Sequence, residues 1–149
     1  MHKVSGGCHC GNILVDLELT NAPSAYHPRA CDCDFCLKHG AAYVSDAQGS
    51  LLIRIKEERD CGKYRQGSGT ADCLVCRNCG VLVGACCWSD GRLYAAVNAR
   101  VLDDRAAFAA EKPVSPKQLS KSDKVARWKD IWFADVSVTH GDAQHFLQS

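Results

Sequence analysis

The sequence predicts a mainly β protein with one short helix. Short apolar runs recur along the chain, and several of them alternate with polar residues, as half-buried strands do. The runs cover residues 13–19, 42–45, 51–55, 61–66, 81–88 and 92–97. Two turn sequences, Gly-Ser-Gly at 67–69 and Ser-Asp-Gly at 89–91, separate neighbouring runs. Because such turns tolerate the positive φ angles of tight connections, they favour hairpins and antiparallel pairing.

The short helix is predicted over residues 103–110, where two aspartates precede an alanine-rich segment. Pro113 and Pro116 would prevent it from continuing. Residues 111–130 carry six basic and three acidic side chains, so we expect a surface excursion or partly mobile loop there. The apolar segment 131–133 (Ile-Trp-Phe) would then return to the core as a strand.

Length and charge narrow the classes of protein that fit. A chain of 149 residues with 46% hydrophobic residues is long enough for one domain, which we expect to span residues 1–149. A net charge of +1 gives no bulk electrostatic reason to bind nucleic acid or a membrane, and we expect neither as a partner. The N-terminal segment has no apolar core of the kind found in signal peptides. We therefore expect a soluble, cytoplasmic protein.

Cysteine is the most informative residue type, since the chain contains 11 cysteines. In a reducing compartment disulfides are unstable, whereas closely spaced cysteines hold metal ions. Seven of them fall in three tight sets, Cys8-x-Cys10, Cys31-x-Cys33-x-x-Cys36 and Cys76-x-x-Cys79. This spacing favours zinc thiolate sites.

Two of these sets are two-cysteine turns, called knuckles here, each followed directly by glycine at Gly11 or Gly80. Glycine there allows a positive φ and lets backbone amides point at the sulfur atoms. Structural zinc takes four ligands, so the two knuckles together would complete one closed site. Its ligands would be Cys8, Cys10, Cys76 and Cys79.

The third set, Cys31, Cys33 and Cys36, offers only three thiolates. Three protein ligands with an open fourth position are typical of a catalytic zinc ion. The open position would bind a thiol or polarise a carbonyl oxygen. Alternatively, His39 would fill it and make a second structural site.

Further motifs extend this pattern along the chain. In order they are Gly6-Gly7-Cys8-His9-Cys10-Gly11, Cys31-x-Cys33-x-x-Cys36 with Lys38 and Gly40, Cys76-x-x-Cys79-Gly80, Val97-Asn98 with Leu102-Asp103-Asp104, and Ile131-Trp132-Phe133-Ala134-Asp135. Between about residues 5 and 135, the chain resembles the glutathione-dependent formaldehyde-activating enzyme family, which includes centromere protein V. The short link at residues 37–40 is closer to the centromere protein V branch.

The resemblance implies zinc-containing antiparallel β-sheets like those of methionine sulfoxide reductase B. It also implies two zinc ions per chain, a structural ion on Cys8, Cys10, Cys76 and Cys79 and a catalytic ion on Cys31, Cys33 and Cys36. The expected function is a carbon–sulfur lyase that handles a thiol–aldehyde adduct such as S-(hydroxymethyl)glutathione. Its partners would be a small thiol such as glutathione and a small aldehyde.

Two other functions are compatible with the same residues. The first is a zinc-stabilised binding or carrier module without turnover, because a thiol adds to an aldehyde without an enzyme. The second is methionine sulfoxide reduction, for which four further cysteines would be available as redox groups. These are Cys61, Cys73, Cys86 and Cys87. We favour a packing role for the adjacent pair at 86–87, which lies in an apolar strand.

Overall fold

The computed structural model describes residues 1–65 and 69–141, together with the backbone of residues 143–145. In chain order, its strands are β1 (His2–Gly7), β2 (Ile13–Leu19), β3 (Arg29–Cys31), β4 (Ala42–Val44), β5 (Ser50–Ile55), β6 (Cys61–Tyr64), β7 (Asp72–Cys76), β8 (Leu82–Ser89), β9 (Arg92–Asn98), β10 (Lys112–Val114), β11 (Asp135–His140) and β12 (Ala143–His145). The α-helices are α1 (Asp34–His39) and α2 (Lys121–Ile131). The expected mainly β class is thus confirmed.

The strands form two sheets. One sheet has the order β1-β2-β5-β11-β12, and the other has the order β10-β3-β4-β9-β8-β7-β6. Pairing is antiparallel except between β5 and β11 and between β3 and β10. Within the described part of the chain, no helix is long and apolar enough to cross a membrane.

The main core lies between the two sheets. On β2, the odd-numbered residues Ile13, Val15, Leu17 and Leu19 are buried while the residues between them are half-buried, as the alternating sequence predicts. They share one apolar cluster with residues of β7, β8 and β9 from the other sheet. Burial of apolar surface from both sheets therefore holds the sheets together.

The hairpin turn predicted at residues 89–91 forms between β8 and β9. Strands β8 and β9 pair across Asp90 and Gly91, whose φ angles are 53° and 75°. The two consecutive positive φ angles confirm the tight connection that Asp-Gly predicts. Residues 67 and 68 of the other predicted turn lie outside the described residues, but the flanking strands β6 and β7 do pair in antiparallel fashion.

The helix predicted over residues 103–110 is wrong. Only one 3-10 turn forms there, at Arg105–Ala107. After it the chain runs beside β3 and its preceding segment, since the backbone amide of Ala109 donates to Tyr26 O at 3.0 Å and that of Lys112 donates to Pro28 O at 2.9 Å. These tertiary hydrogen bonds outweigh the helix propensity of the alanine-rich segment, because so short a helix is only marginally stable by itself.

The loop predicted for residues 111–130 is also wrong, because this stretch contains β10 and most of α2. Ser120 caps α2 by accepting a hydrogen bond from the Asp123 amide at 3.1 Å. Val125, Trp128 and Ile131 then recur at helical spacing and pack against a buried apolar cluster on the seven-stranded sheet. These three apolar residues were overlooked in the sequence because most positions around them are charged or polar.

The segment after α2 also differs from the prediction. Phe133 is fully buried, but it meets the sheet through an isolated bridge to Ala95 rather than through a strand. Its amide donates to Ala95 O at 2.9 Å and its carbonyl accepts from the Ala95 amide at 3.1 Å. This pair of backbone hydrogen bonds thus fixes the chain after α2 to β9.

Asn98, in the Val-Asn motif at residues 97–98, is one of the few buried polar side chains among the described residues. Its amide group donates to Leu82 O at 2.9 Å, and its side-chain oxygen accepts from the Ala42 amide at 3.4 Å and the Arg100 amide at 3.2 Å. Asn98 therefore connects three backbone segments at the end of β9.

We expect Asn98→Ala to lower the free energy of unfolding by about 2–3 kcal/mol, because it leaves buried backbone groups without partners. Urea unfolding of the metal-loaded protein, followed by tryptophan fluorescence, would measure this change. Asn21→Ala is the matched control, since Asn21 is exposed. Equal stability of the two variants would contradict the proposed importance of the Asn98 hydrogen bonds.

Candidate functional site

The two knuckles come together as predicted. The sulfur atoms of Cys8, Cys10, Cys76 and Cys79, the four-cysteine group, all lie within 4.8 Å of one another. The Cys10 Sγ lies 3.8 Å from Cys8 Sγ and 3.6 Å from Cys76 Sγ. A zinc tetrahedron with bonds of about 2.3 Å has sulfur–sulfur edges of about 3.8 Å. The donor set and spacing therefore fit zinc.

The backbone of the knuckles has the geometry expected around a metal thiolate. Gly11 and Gly80 have φ angles of 81° and 79°, as their positions after the cysteines predict. The Ile13 amide donates a hydrogen bond to Cys8 Sγ at 3.2 Å. Such amide–sulfur bonds stabilise the negative charge that metal binding requires.

The position of the four-cysteine group matters for stability. Cys8 and Cys10 lie between β1 and β2 of the five-stranded sheet. In the other sheet, Cys76 ends β7 and Cys79 lies between β7 and β8. A metal ion held by all four would therefore connect the two sheets directly.

Protonation within the four-cysteine group is uneven. A hydrogen bond with Asn78 lowers the pKa of Cys10 to about 6, while burial raises the pKa of Cys76 to about 12. At neutral pH the metal-free group thus retains protons, which metal binding would release.

The third cysteine set forms a second group. The sulfur atoms of Cys31, Cys33 and Cys36, the three-cysteine group, also lie within 4.8 Å of one another. Cys31 ends β3, and Cys33 caps α1, with its sulfur accepting a hydrogen bond from the Cys36 amide at 3.4 Å. A strand end followed at once by a helix start brings the three side chains together.

His39 does not join the three-cysteine group within the described chain. It lies at the end of α1, where its ring packs against Phe35 with 4.6 Å between the centroids. Tyr43 does contact the group, since its hydroxyl lies 3.3 Å from Cys36 Sγ. The group consequently presents three thiols rather than a complete set of four ligands.

The three thiols also differ in acidity. The hydrogen bond from Cys36 lowers the pKa of Cys31 to about 6. The same hydrogen bond and burial raise the pKa of Cys36. One thiolate is thus available in the group near neutral pH, which favours the binding of a cation.

The three-cysteine group forms part of the wall of a cavity of about 140 Å³, called the cysteine cavity here. Tyr43 and Cys73 lie beside the thiols, and α2 contributes Lys124, Arg127 and Trp128. Trp128 stacks on Trp132, which also lines the cavity, with 4.7 Å between the ring centroids. The cavity thus combines thiols, aromatic rings and positive charge.

The charged side chains described in the wall of the cysteine cavity are all basic. Four basic side chains line it, and the described lining residues include no aspartate or glutamate. The basic residues are Arg29, Lys117, Lys124 and Arg127. Burial and the nearby charge of Arg127 lower the pKa of Arg29 to about 10, so Arg29 is still protonated at neutral pH.

The four other cysteines are buried thiols. Cys86 lies in the main core and Cys87 in the cluster beneath α2, so both members of the adjacent pair pack as apolar side chains. Burial raises the pKa of all four, to about 12 for Cys73. Protonated buried thiols are poor nucleophiles, and they give no support to a methionine sulfoxide reductase function.

Comparison with known proteins decides the family. Residues 3–118 match the family model described as glutathione-dependent formaldehyde-activating enzyme. The chain belongs to this family. The matched range contains all seven cysteines of the two groups, and it ends before α2 begins.

The crystal structure of a Rhodobacter sphaeroides protein, determined by structural genomics, is similar to this member of the formaldehyde-activating family. The TM-score is 0.54 at 26% sequence identity, and the similarity covers 72% of this chain and 99% of that chain. No curated protein matched. The likeness to methionine sulfoxide reductase B and to the centromere protein V branch remains a prediction.

Some residues of the cysteine cavity were not expected from the sequence. Arg127 and Trp128 were missed because their segment was predicted to be a loop, although Ser120 and the apolar spacing from Val125 onward indicated a helix. Arg29 lies two residues before Cys31 on the same strand, but no motif marked it.

Proposed function

We propose that the protein is a zinc-dependent carbon–sulfur lyase that forms or cleaves the adduct of a thiol, such as glutathione, with formaldehyde. The observation that carries this proposal is the placement of the three-cysteine group in the wall of a positively charged cavity. A group of three thiols beside a cavity has room for a substrate, whereas a closed group of four has none. Family membership supports the same substrates.

The reaction joins two simple reactants. The thiol sulfur forms a bond to the aldehyde carbon, the carbonyl oxygen becomes a hydroxyl group, and that hydroxyl takes up the proton that the thiol loses. The reverse reaction breaks the same carbon–sulfur bond. When bound by Cys31, Cys33 and Cys36, zinc would supply a position that holds a thiol as its thiolate near neutral pH.

The side chains of the cavity would orient the thiol for this reaction. Its basic residues attract anionic parts of the thiol, and Trp128 and Trp132 exclude water from the apolar part of the cavity. The Tyr43 hydroxyl, 3.3 Å from Cys36 Sγ, fixes one side of the three-cysteine group. These contacts restrict the orientations available to a bound thiol.

The four-cysteine group would hold a structural zinc ion under the same proposal. Its two turns come from different sheets, and its sulfur atoms already have the spacing of a zinc tetrahedron. Zinc thiolates persist in a reducing compartment, and we therefore place the protein in the cytoplasm.

Exchange between free glutathione and S-(hydroxymethyl)glutathione, measured by NMR with increasing amounts of zinc-loaded protein, tests the proposal. We expect an exchange rate that rises linearly with protein concentration above the uncatalysed rate. A weak chelator should return the rate to the uncatalysed value before it unfolds the protein, and added zinc should restore it.

The uncatalysed reaction and an equal amount of bovine serum albumin serve as controls for this experiment. An exchange rate that stays at the uncatalysed value would overturn the lyase proposal. If glutathione still binds under those conditions, the result would instead favour a binding or carrier module without turnover.

A further inference from the structure

Two arginines from different elements line the cysteine cavity, Arg29 from β3 and Arg127 from α2. The Arg29 guanidinium donates to Ser45 Oγ at 2.7 Å, and Ser45 Oγ donates to Ile131 O at 2.7 Å. These bonds hold Arg29 against the end of α2. Ser45 and Ile131 O are neutral, so they do not compensate the charge of Arg29.

The described part of the chain contains no ion pair for either arginine. Lys117, in contrast, lies 3.9 Å from the Asp32 carboxylate. Placing two guanidinium groups at one partly buried cavity whose described lining holds no carboxylate is unfavourable, because like charges repel and each group loses hydration. An anion in the cavity would relieve both effects.

We propose that Arg29 and Arg127 form a carboxylate-binding subsite, and that the protein therefore selects thiols that carry a carboxylate over neutral thiols. The planar guanidinium group offers paired N–H donors that match the two oxygens of a carboxylate. The subsite would hold the thiol by a part remote from its sulfur, while the sulfur lies at the three-cysteine group. The selection of a substrate thiol rests on the lyase function proposed above, whereas the binding of a carboxylate by the two arginines does not.

Half of this subsite comes from α2, which lies beyond the range matched by the family model. Selection for a carboxylate would thus depend in part on an element outside the matched range. Trp128 follows Arg127 on the same helix and lines the same cavity. Tryptophan fluorescence should therefore report binding.

The experiment uses S-methylglutathione, which keeps both carboxylates but has no free thiol, and its diethyl ester, in which both carboxylates are blocked. Binding to the zinc-loaded protein is followed by tryptophan fluorescence and by calorimetry. We expect S-methylglutathione to bind at least about tenfold more tightly than the ester, and Arg127→Met to remove this preference.

Lys121→Met is the matched control, because it removes one positive charge from the exposed start of the same helix, outside the cavity lining. It should leave the preference unchanged. Arg127→Lys keeps the charge but not the paired donors, and we expect it to retain only part of the preference. Circular dichroism checks that each variant is folded. If Arg127→Met does not fold, Arg127→Lys becomes the test, and a reduced preference in that variant supports the subsite.

Equal binding of S-methylglutathione and its ester to the unaltered protein would overturn the subsite, whether or not the protein accelerates exchange. An unchanged preference in both Arg127 variants would overturn it as well. If the preference is present and depends on Arg127 but exchange stays at the uncatalysed rate, the subsite stands and the lyase function fails.

Discussion

The Cys76→Ser variant should fail to fold when it is expressed and purified in the presence of zinc. Cys76 is completely buried and belongs to the four-cysteine group that connects the two sheets. Structural zinc binding contributes roughly 10–16 kcal/mol, which is comparable to the roughly 5–15 kcal/mol that stabilises a whole domain. Loss of one thiolate therefore removes most of the free energy that holds the folded state. Solubility and far-ultraviolet circular dichroism would measure the outcome.

Cys86→Ser is the control for this substitution. Cys86 is also buried, at 3% exposure, but it lies outside both cysteine groups. The same chemical change there buries a hydroxyl group, at a cost of about 1–3 kcal/mol, and should leave a folded protein. A folded, cooperative Cys76→Ser protein would show that the four-cysteine group is not required for the fold.

The cysteine groups and the strands around them could be predicted from the sequence because each depends on local spacing. A Cys-x-x-Cys-Gly turn brings two sulfur atoms together whatever the rest of the chain does, and alternation along residues 13–19 determines which side of β2 is buried. Pairing of the two knuckles with each other followed from the need of zinc for four ligands. The sulfur–sulfur distances agree with that pairing.

The segment between residues 103 and 131 could not be predicted in the same way, because its structure depends on contacts with distant residues. The backbone amides of Ala109 and Lys112 donate hydrogen bonds to Tyr26 and Pro28, in the segment that precedes β3. The apolar stripe of α2 is too weak to predict a helix by itself. It can be recognised as a packing face only when the sheet surface that it covers is known. The charged wall of the cysteine cavity was therefore not visible in the motifs.

Cys33→Ser should leave a folded protein that has lost one zinc ion and all acceleration of thiol–aldehyde exchange. The three-cysteine group lies on β3, α1 and the link between them and does not join the two sheets, so its metal contributes little to holding the sheets together. With two thiolates left, the group should bind zinc too weakly to retain it through purification. We expect about two zinc ions per unaltered chain and about one in the variant, by elemental analysis. Thermal unfolding should change only slightly.

The Cys73→Ser variant tests whether the second metal site is open or closed. Cys73 lines the same cavity but lies outside the three-cysteine group, so this variant should keep both zinc ions. Loss of the second ion in Cys73→Ser would mean that Cys73 is a fourth ligand and that the site is closed and structural. Equal destabilisation by Cys33→Ser and Cys76→Ser would also mean that the second site is structural, because only a metal that supports the fold can make both substitutions equally costly.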